Sequence, residues 1–165
     1  MGRWQPPQAK SSPYITAQGY THLEQELKAI WERRKHVTSA LATAAAEGDR
    51  SENAEYIYRK KELREIDRRI RYLQKRMPEL RIVTVVGDKK RIYFGATVTI
   101  EDEEGINTTY RIIGPDEIDH KENYISIDSP MSKSLLGKVT GDEVIVRTAA
   151  KQRVYFITAI KYAPM

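Results

Sequence analysis

The sequence predicts an α+β protein, in which an antiparallel coiled-coil hairpin of two long helices precedes an antiparallel β domain carrying one short helix. Three observations predict it. Apolar residues step by three and four through the first half of the chain, this stepping gives way to alternation after Pro78, and a short polar stretch at residues 48–56 interrupts the helical half.

Residues 1–13 contain Pro6, Pro7, Ser11, Ser12 and Pro13 with almost nothing to bury, so they are expected to form a disordered tail. Tyr14-Ile15-Thr16 leads into the first helix, with Thr16 placed as its N-cap and Gly19 as a weak point in its first turn. Tyr20, Leu23, Leu27, Ile30, Arg34, Val37, Leu41 and Ala44 then form a heptad seam from which only Arg34 departs. Roughly 30 helical residues from Ala17 to Ala46 make an arm about 45 Å long. Near its end the seam thins to alanines, which lets two backbones approach closely. Trp31 is expected to pack at the base of the hairpin. Beyond the polar stretch Tyr56, Arg59, Leu63, Ile66, Ile70, Leu73 and Met77 repeat the stepping, and seams joined by so short a turn can pair only antiparallel.

Pro78 ends the second helix, because it lacks the ladder donor and disfavours helix at the residue before it. Period-two alternation places strands at residues 81–86, 92–100, 108–113, 124–128, 143–148 and 154–162, separated by Gly87-Asp88, Glu104-Gly105, Gly114-Pro115 and Gly141-Asp142. A short helix fits residues 130–137, with Pro130 at its start and Gly137 at its end. The organisation expected is therefore a tail at 1–13, a hairpin at 14–80 and a β domain at 81–165.

Composition excludes several classes. There is no cysteine, so disulfide frameworks and thiolate metal sites or nucleophiles are ruled out. No apolar run is long enough to span a bilayer and no secretory signal is visible, so a soluble cytoplasmic monomer with no membrane partner is expected. His22, His36 and His120 lack ligand spacing, and Ser129 has no histidine near it in sequence to activate it. The formal charge of +5 permits a polyanionic partner. That charge is concentrated in the second helix, where Arg59, Lys60, Lys61, Arg64, Arg68, Arg69, Arg71, Lys75 and Arg76 face only Glu62, Glu65 and Asp67. Pairs such as Glu65 with Arg69 and Asp67 with Arg71 offset part of it. Lys60, Arg64, Arg68, Arg71 and Lys75, three or four apart, form one stripe able to follow a phosphate backbone.

The polar stretch admits two readings. Asp49-x-x-Glu52 has the form of a capping box, with Asp49 as the N-cap of the second helix and Glu52 at its third position. Alternatively, Asp49 and Glu52 are two carboxylates presented at the end of a long probe. The whole string Gly48-Asp49-Arg50-Ser51-Glu52-Asn53-Ala54-Glu55-Tyr56, held between heptad helices, resembles the tip motif of the bacterial Gre transcript-cleavage factors, and Asp-Arg-Ser is similar to the GreB branch. The run Tyr124-Ile125-Ser126-Ile127-Asp128-Ser129-Pro130-Met131 also resembles theirs.

The resemblance implies an FKBP-like C-terminal domain that docks on the rim of the RNA polymerase secondary channel through Asp128, Ser129 and Pro130. It implies that the hairpin enters the channel of a backtracked polymerase, where Asp49 and Glu52 help hold a second Mg²⁺ that the polymerase completes. The polymerase then cleaves the nascent RNA 3′ end, so the chain is not an enzyme on its own. Arg50, Ser51, Asn53, Glu55 and Tyr56 would support the tip, and Arg59, Lys60, Lys61, Arg64, Arg68 and Arg71 would hold RNA. Two other readings stay open: a non-catalytic channel binder that inhibits the polymerase, and a prolyl isomerase in the C-terminal domain.

Overall fold

The computed structural model describes residues 10–47, 53–84, 87–118 and 123–163. The chain divides into two compact units. One is Gln18–Leu80, and the other joins the chain up to Ala17 to everything from Arg81 onward.

The first unit is the helical hairpin of α1 (Ala17–Ala46) and α2 (Ala54–Arg76), followed by a 3-10 turn, Met77–Glu79, that contains Pro78. Leu23, Val37 and Ala44 of α1 are buried, as are Ile66, Ile70 and Leu73 of α2 and the adjoining Met77. Leu27, Ile30 and Leu63 pack against Val37, Ile66 and Ile70. Each fully buried aliphatic side chain contributes about 1.5–3 kcal/mol, so this seam is the main force joining the helices. Its direction is fixed by ion pairs: Glu26 receives both donors of Arg69 at 2.6 and 2.9 Å, Arg33 meets Glu62 at 2.6 Å, and Arg34 meets Asp67 at 2.7 Å. Partner numbers fall broadly as the α1 number rises, which is antiparallel pairing.

Arg34, the one charge in the expected seam, is accommodated because Asp67 stands opposite and raises its pKa by hydrogen bonding and charge attraction. This revises the expected local pairs. Asp67 and Arg69 look across the hairpin to Arg34 and Glu26, not along α2 to Arg71 and Glu65. Trp31 is also corrected: it is 42% exposed and lies against Arg34, 5.9 Å from guanidinium carbon to ring centroid. The expected weak point Gly19 is helical and buried.

The second unit contains a two-stranded parallel sheet, β1 (Tyr14–Ile15) with β2 (Arg81–Ile82), and a five-stranded sheet. The latter has the order β5-β4-β3-β7-β6, with β3 (Thr97–Asp102), β4 (Asn107–Ile113), β5 (Tyr124–Ser126), β6 (Glu143–Arg147) and β7 (Gln152–Lys161). The short helix α3 spans Pro130–Leu135. The sheet is mixed where an antiparallel one was expected, because β5 runs parallel to β4 while the other pairings are antiparallel. Ile92, Ala96, Val98, Ile100, Ile112, Leu135, Val144 and Ile157 form its core. Strand β3 begins five residues later than expected. Gly95 takes φ +88° and Ala96 N–H donates to the Tyr93 carbonyl, so residues 93–96 form a turn that buries Phe94 and Ala96, tied to β4 by Gly95 N–H on the Ile112 carbonyl at 2.7 Å and Ile112 N–H on the Ala96 carbonyl at 2.9 Å.

The expected boundary at residue 13 moves. Arg81 N–H donates to the Pro13 carbonyl at 2.7 Å and Val83 N–H to the Ile15 carbonyl at 2.9 Å, so residues 13–15 are built into the second unit. Glu117 completes this attachment: its carboxylate accepts from Thr16 N–H at 2.8 Å, from the Thr16 hydroxyl and from Gly114 N–H at 3.1 Å. Thr16, expected as a helix cap, anchors the chain to Glu117, and it is buried. The carbonyl of Tyr14 passes so close to Gly114 that a Cβ there would lie 1.9 Å from the oxygen. Gly114→Ala is therefore expected to force the two segments apart and lower stability by about 1–3 kcal/mol, as crowding a packed site does. A denaturant midpoint equal to that of the parent would contradict this close approach.

Candidate functional site

Helix α1 closes with Glu47 N–H on the Ala44 carbonyl at 3.3 Å, and α2 opens at Asn53. Asn53 makes two contacts at once. Its side-chain oxygen accepts from Tyr56 N–H at 3.1 Å, capping α2, while its side-chain amide donates to the Ala44 carbonyl at 2.8 Å, tying the last turn of α1 to the first of α2. Asn53, expected to support the tip, has both ends of its side-chain amide engaged within the hairpin. Four expected tip residues, Asp49, Arg50, Ser51 and Glu52, lie outside the described residues.

The capping-box reading is corrected here. The cap is Asn53, four residues after Asp49, and Glu52 precedes the helix instead of occupying its third position. Asn caps a helix about as well as Asp, and at position 53 it gains the bond to Ala44. Glu55 lies in the first turn, where the helix dipole favours an acid, and its carboxylate holds Arg59 at 2.8 Å. Tyr56 is half-buried, with the Lys60 ammonium 5.8 Å from its ring centroid.

The basic face of α2 sorts into two groups. Arg59 is half-buried between Glu55 and Glu62, and the hydrogen bond to Glu55, reinforced by Glu62, raises its pKa despite partial desolvation. Its charge is met inside the hairpin, unlike that of the other residues expected to hold RNA. Lys60, Lys61, Arg64, Arg68, Arg71 and Lys75 are exposed, and none has an ion pair among the described residues. The expected stripe is therefore present as an unneutralised track.

At the other expected site, Asp128-Ser129-Pro130 connects β5 to α3. Ser129 caps α3, accepting from Ser132 N–H at 3.2 Å, and Pro130 occupies the first turn, where its missing donor costs nothing. Asp128 is engaged within the chain: its carboxylate accepts from Ser12 N–H at 2.9 Å and from the Ser12 hydroxyl. This corrects the disordered-tail expectation for Ser12 and Pro13. The sequence did not reveal the apolar cavity beside the loop, about 430 Å³, lined among others by Tyr110, Ile125, Ser129, Pro130, Met131 and Tyr155. Its walls come from β4, β5, α3, β6 and β7, and periodicity alone does not bring those segments together.

Residues 13–82 match the family described as "Transcription elongation factor, N-terminal", and residues 87–162 match "Transcription elongation factor, GreA/GreB, C-term". The chain is 51% identical to transcription elongation factor GreB of Pseudomonas aeruginosa over 99% of each chain. The chain belongs to the Gre family of transcription elongation factors, in its GreB branch. GreB of Xanthomonas axonopodis pv. citri is 49% identical over the whole of both chains, and GreB of Haemophilus influenzae 51% identical over 93% and 98%. Among solved structures, a transcription factor Gfh1 matches at 28% identity and a TM-score of 0.45, covering 93% of this chain and 99% of that one.

For this Gre-family hairpin the clasp gives a direct expectation. Asn53→Ala removes both the cap and the tie to Ala44, and should cost about 1–3 kcal/mol, read as a lowered helical melting midpoint. A midpoint within error of the parent would show that the tip region does not depend on Asn53. Asp128→Ala should likewise lower the Tm by a few degrees and speed amide exchange at Ser12, because a charged acceptor of two bonds is lost. Unchanged exchange at Ser12 would count against the clasp.

Proposed function

We propose that the hairpin enters the secondary channel of a backtracked RNA polymerase and that Asp49 and Glu52 there promote cleavage of the extruded 3′ segment of the nascent RNA. The observation that carries this reading is the cap of α2. Asn53 supplies it, so neither carboxylate is required for that purpose, and the capping alternative for Asp49 and Glu52 loses its basis. Membership of the GreB branch supports transcription elongation as the setting.

Two carboxylates supply only part of the near-octahedral oxygen shell of Mg²⁺, so Asp49 and Glu52 suit a shared ion whose other ligands come from polymerase and RNA phosphate. When bound, such an ion neutralises phosphoryl oxygens and lowers the pKa of a coordinated water. The chain's own contribution is to supply two charges between the helices of a stiff arm, with Arg50 in the role of neutralising phosphate charge and Ser51 in that of positioning water. The clasp at Asn53 fixes the start of α2 against the last turn of α1. The loop at Asp128, Ser129 and Pro130, with the neighbouring apolar cavity, docks the second unit on the channel rim.

The test removes charge without removing shape. Asp49→Asn with Glu52→Gln should leave the melting temperature and polymerase binding unchanged while lowering the cleavage rate of backtracked complexes by orders of magnitude, with partial rescue at higher Mg²⁺. Loss of several kcal/mol of transition-state stabilisation predicts that scale, since each 1.36 kcal/mol is tenfold. Full cleavage by the double variant would overturn the assignment.

A further inference from the structure

We infer that the outward face of α2 is a stacking platform for single-stranded RNA, on which Tyr58 and Tyr72 receive bases while Lys61, Arg64, Arg68 and Arg71 follow the phosphates. The inference takes the identity of the polyanion from the reading above and goes beyond it by giving the bases a partner.

Two large aromatic side chains stand out of α2. Tyr58 is 61% exposed and Tyr72 is 45% exposed. Positions 58, 61, 65, 68 and 72 succeed one another by three and four, so both rings border the same helical face as Lys61 and Arg68. They lie about 21 Å apart along the axis, a span that covers several nucleotides. Ile57, 54% exposed, adds apolar surface at the end of this face nearest the tip.

Each ring is held the same way. The Arg59 guanidinium lies 5.5 Å from the Tyr58 ring centroid and is itself fixed by Glu55 at 2.8 Å and Glu62 at 3.1 Å. The Arg69 guanidinium lies 5.4 Å from the Tyr72 centroid and is fixed by both oxygens of Glu26. An arginine anchored by carboxylates restrains the tyrosine beside it, so a base that stacks there orders fewer rotamers. The anchoring arginines are neutralised while the cations alongside are not, which separates ring support from phosphate attraction. An aromatic platform beside a basic track is the arrangement that binds single strands without sequence preference. Duplexes, whose bases are already stacked, gain nothing from the rings.

Elsewhere among the described residues of the hairpin the combination is incomplete. Tyr56 is half-buried at the seam. Trp31 on α1 is exposed beside Arg34, but the nearby Arg33 and Lys35 are taken by Glu62 and Glu32, leaving no track for phosphates.

The test titrates the full-length protein with a labelled short oligouridylate and with an abasic oligonucleotide of equal length and charge, over a range of salt. Tyr58→Ala with Tyr72→Ala should weaken oligouridylate binding on the order of tenfold or more, leave abasic binding unchanged and preserve the slope of log affinity against log salt. Tyr58→Phe with Tyr72→Phe should bind oligouridylate like the parent. Lys61→Gln, Arg64→Gln and Arg68→Gln together should weaken both probes and flatten the slope. Unchanged oligouridylate binding by the double alanine variant, or equal loss on both probes, would overturn the stacking role. Asp49→Asn with Glu52→Gln should bind both probes like the parent, so failure of the tip reading shows in cleavage and failure of this one in base-dependent binding.

Discussion

The antiparallel register of α1 and α2 is the constraint on which the other features of the hairpin depend. It is set by the apolar seam around Val37, Ile66 and Ile70 and directed by Glu26–Arg69, Arg33–Glu62 and Arg34–Asp67. Partly exposed pairs of this kind contribute little stability, about 0–1 kcal/mol each, but a slipped register would bring like charges together, so they select one alignment. The same pairs partition charge. Glu62 and Asp67 face α1 and are neutralised there, and Glu55 is held by Arg59. The outward cations of α2 are left with few acids to meet.

Much of this was legible in the sequence because helical periodicity is strong over long segments. Helix α1 spans the expected residues, and every seam position from Leu23 to Ala44 and from Tyr56 to Met77 is at least half-buried. Side-chain partnerships were less legible. Asp67 and Arg71 stand four apart and suggest a local pair, yet Arg34 from the other helix offers Asp67 a better-placed donor. The cap was ambiguous for a similar reason: Asp49 and Asn53 are equally good caps in isolation, and the carbonyl of Ala44, remote in sequence, favours Asn53.

In the second unit, alternation identified the strands but misjudged where one begins and how another pairs. Ile92, Phe94 and Ala96 alternate as a strand would, although the turn at Gly95 makes their burial a property of a loop. The direction of β5 depends on how the chain crosses between β4 and β5, and period-two patterning carries no record of that. The cavity beside Pro130 was hidden for the same reason, since its walls are assembled by topology.

The parallel pairing of Tyr14–Ile15 with Arg81–Ile82 also bears on the order of assembly. The hairpin is an insertion between two neighbouring strands of one unit, so the second unit draws its parts from both sides of about 65 intervening residues. Closing so long a flexible loop is entropically costly, but a hairpin that has already folded returns its two ends side by side and shortens the effective loop to a few residues. During synthesis, residues 13–16 emerge ahead of the hairpin and wait for Arg81–Ile82, which follow it. The hairpin is then also the internal link that lets the two halves of the second unit find each other.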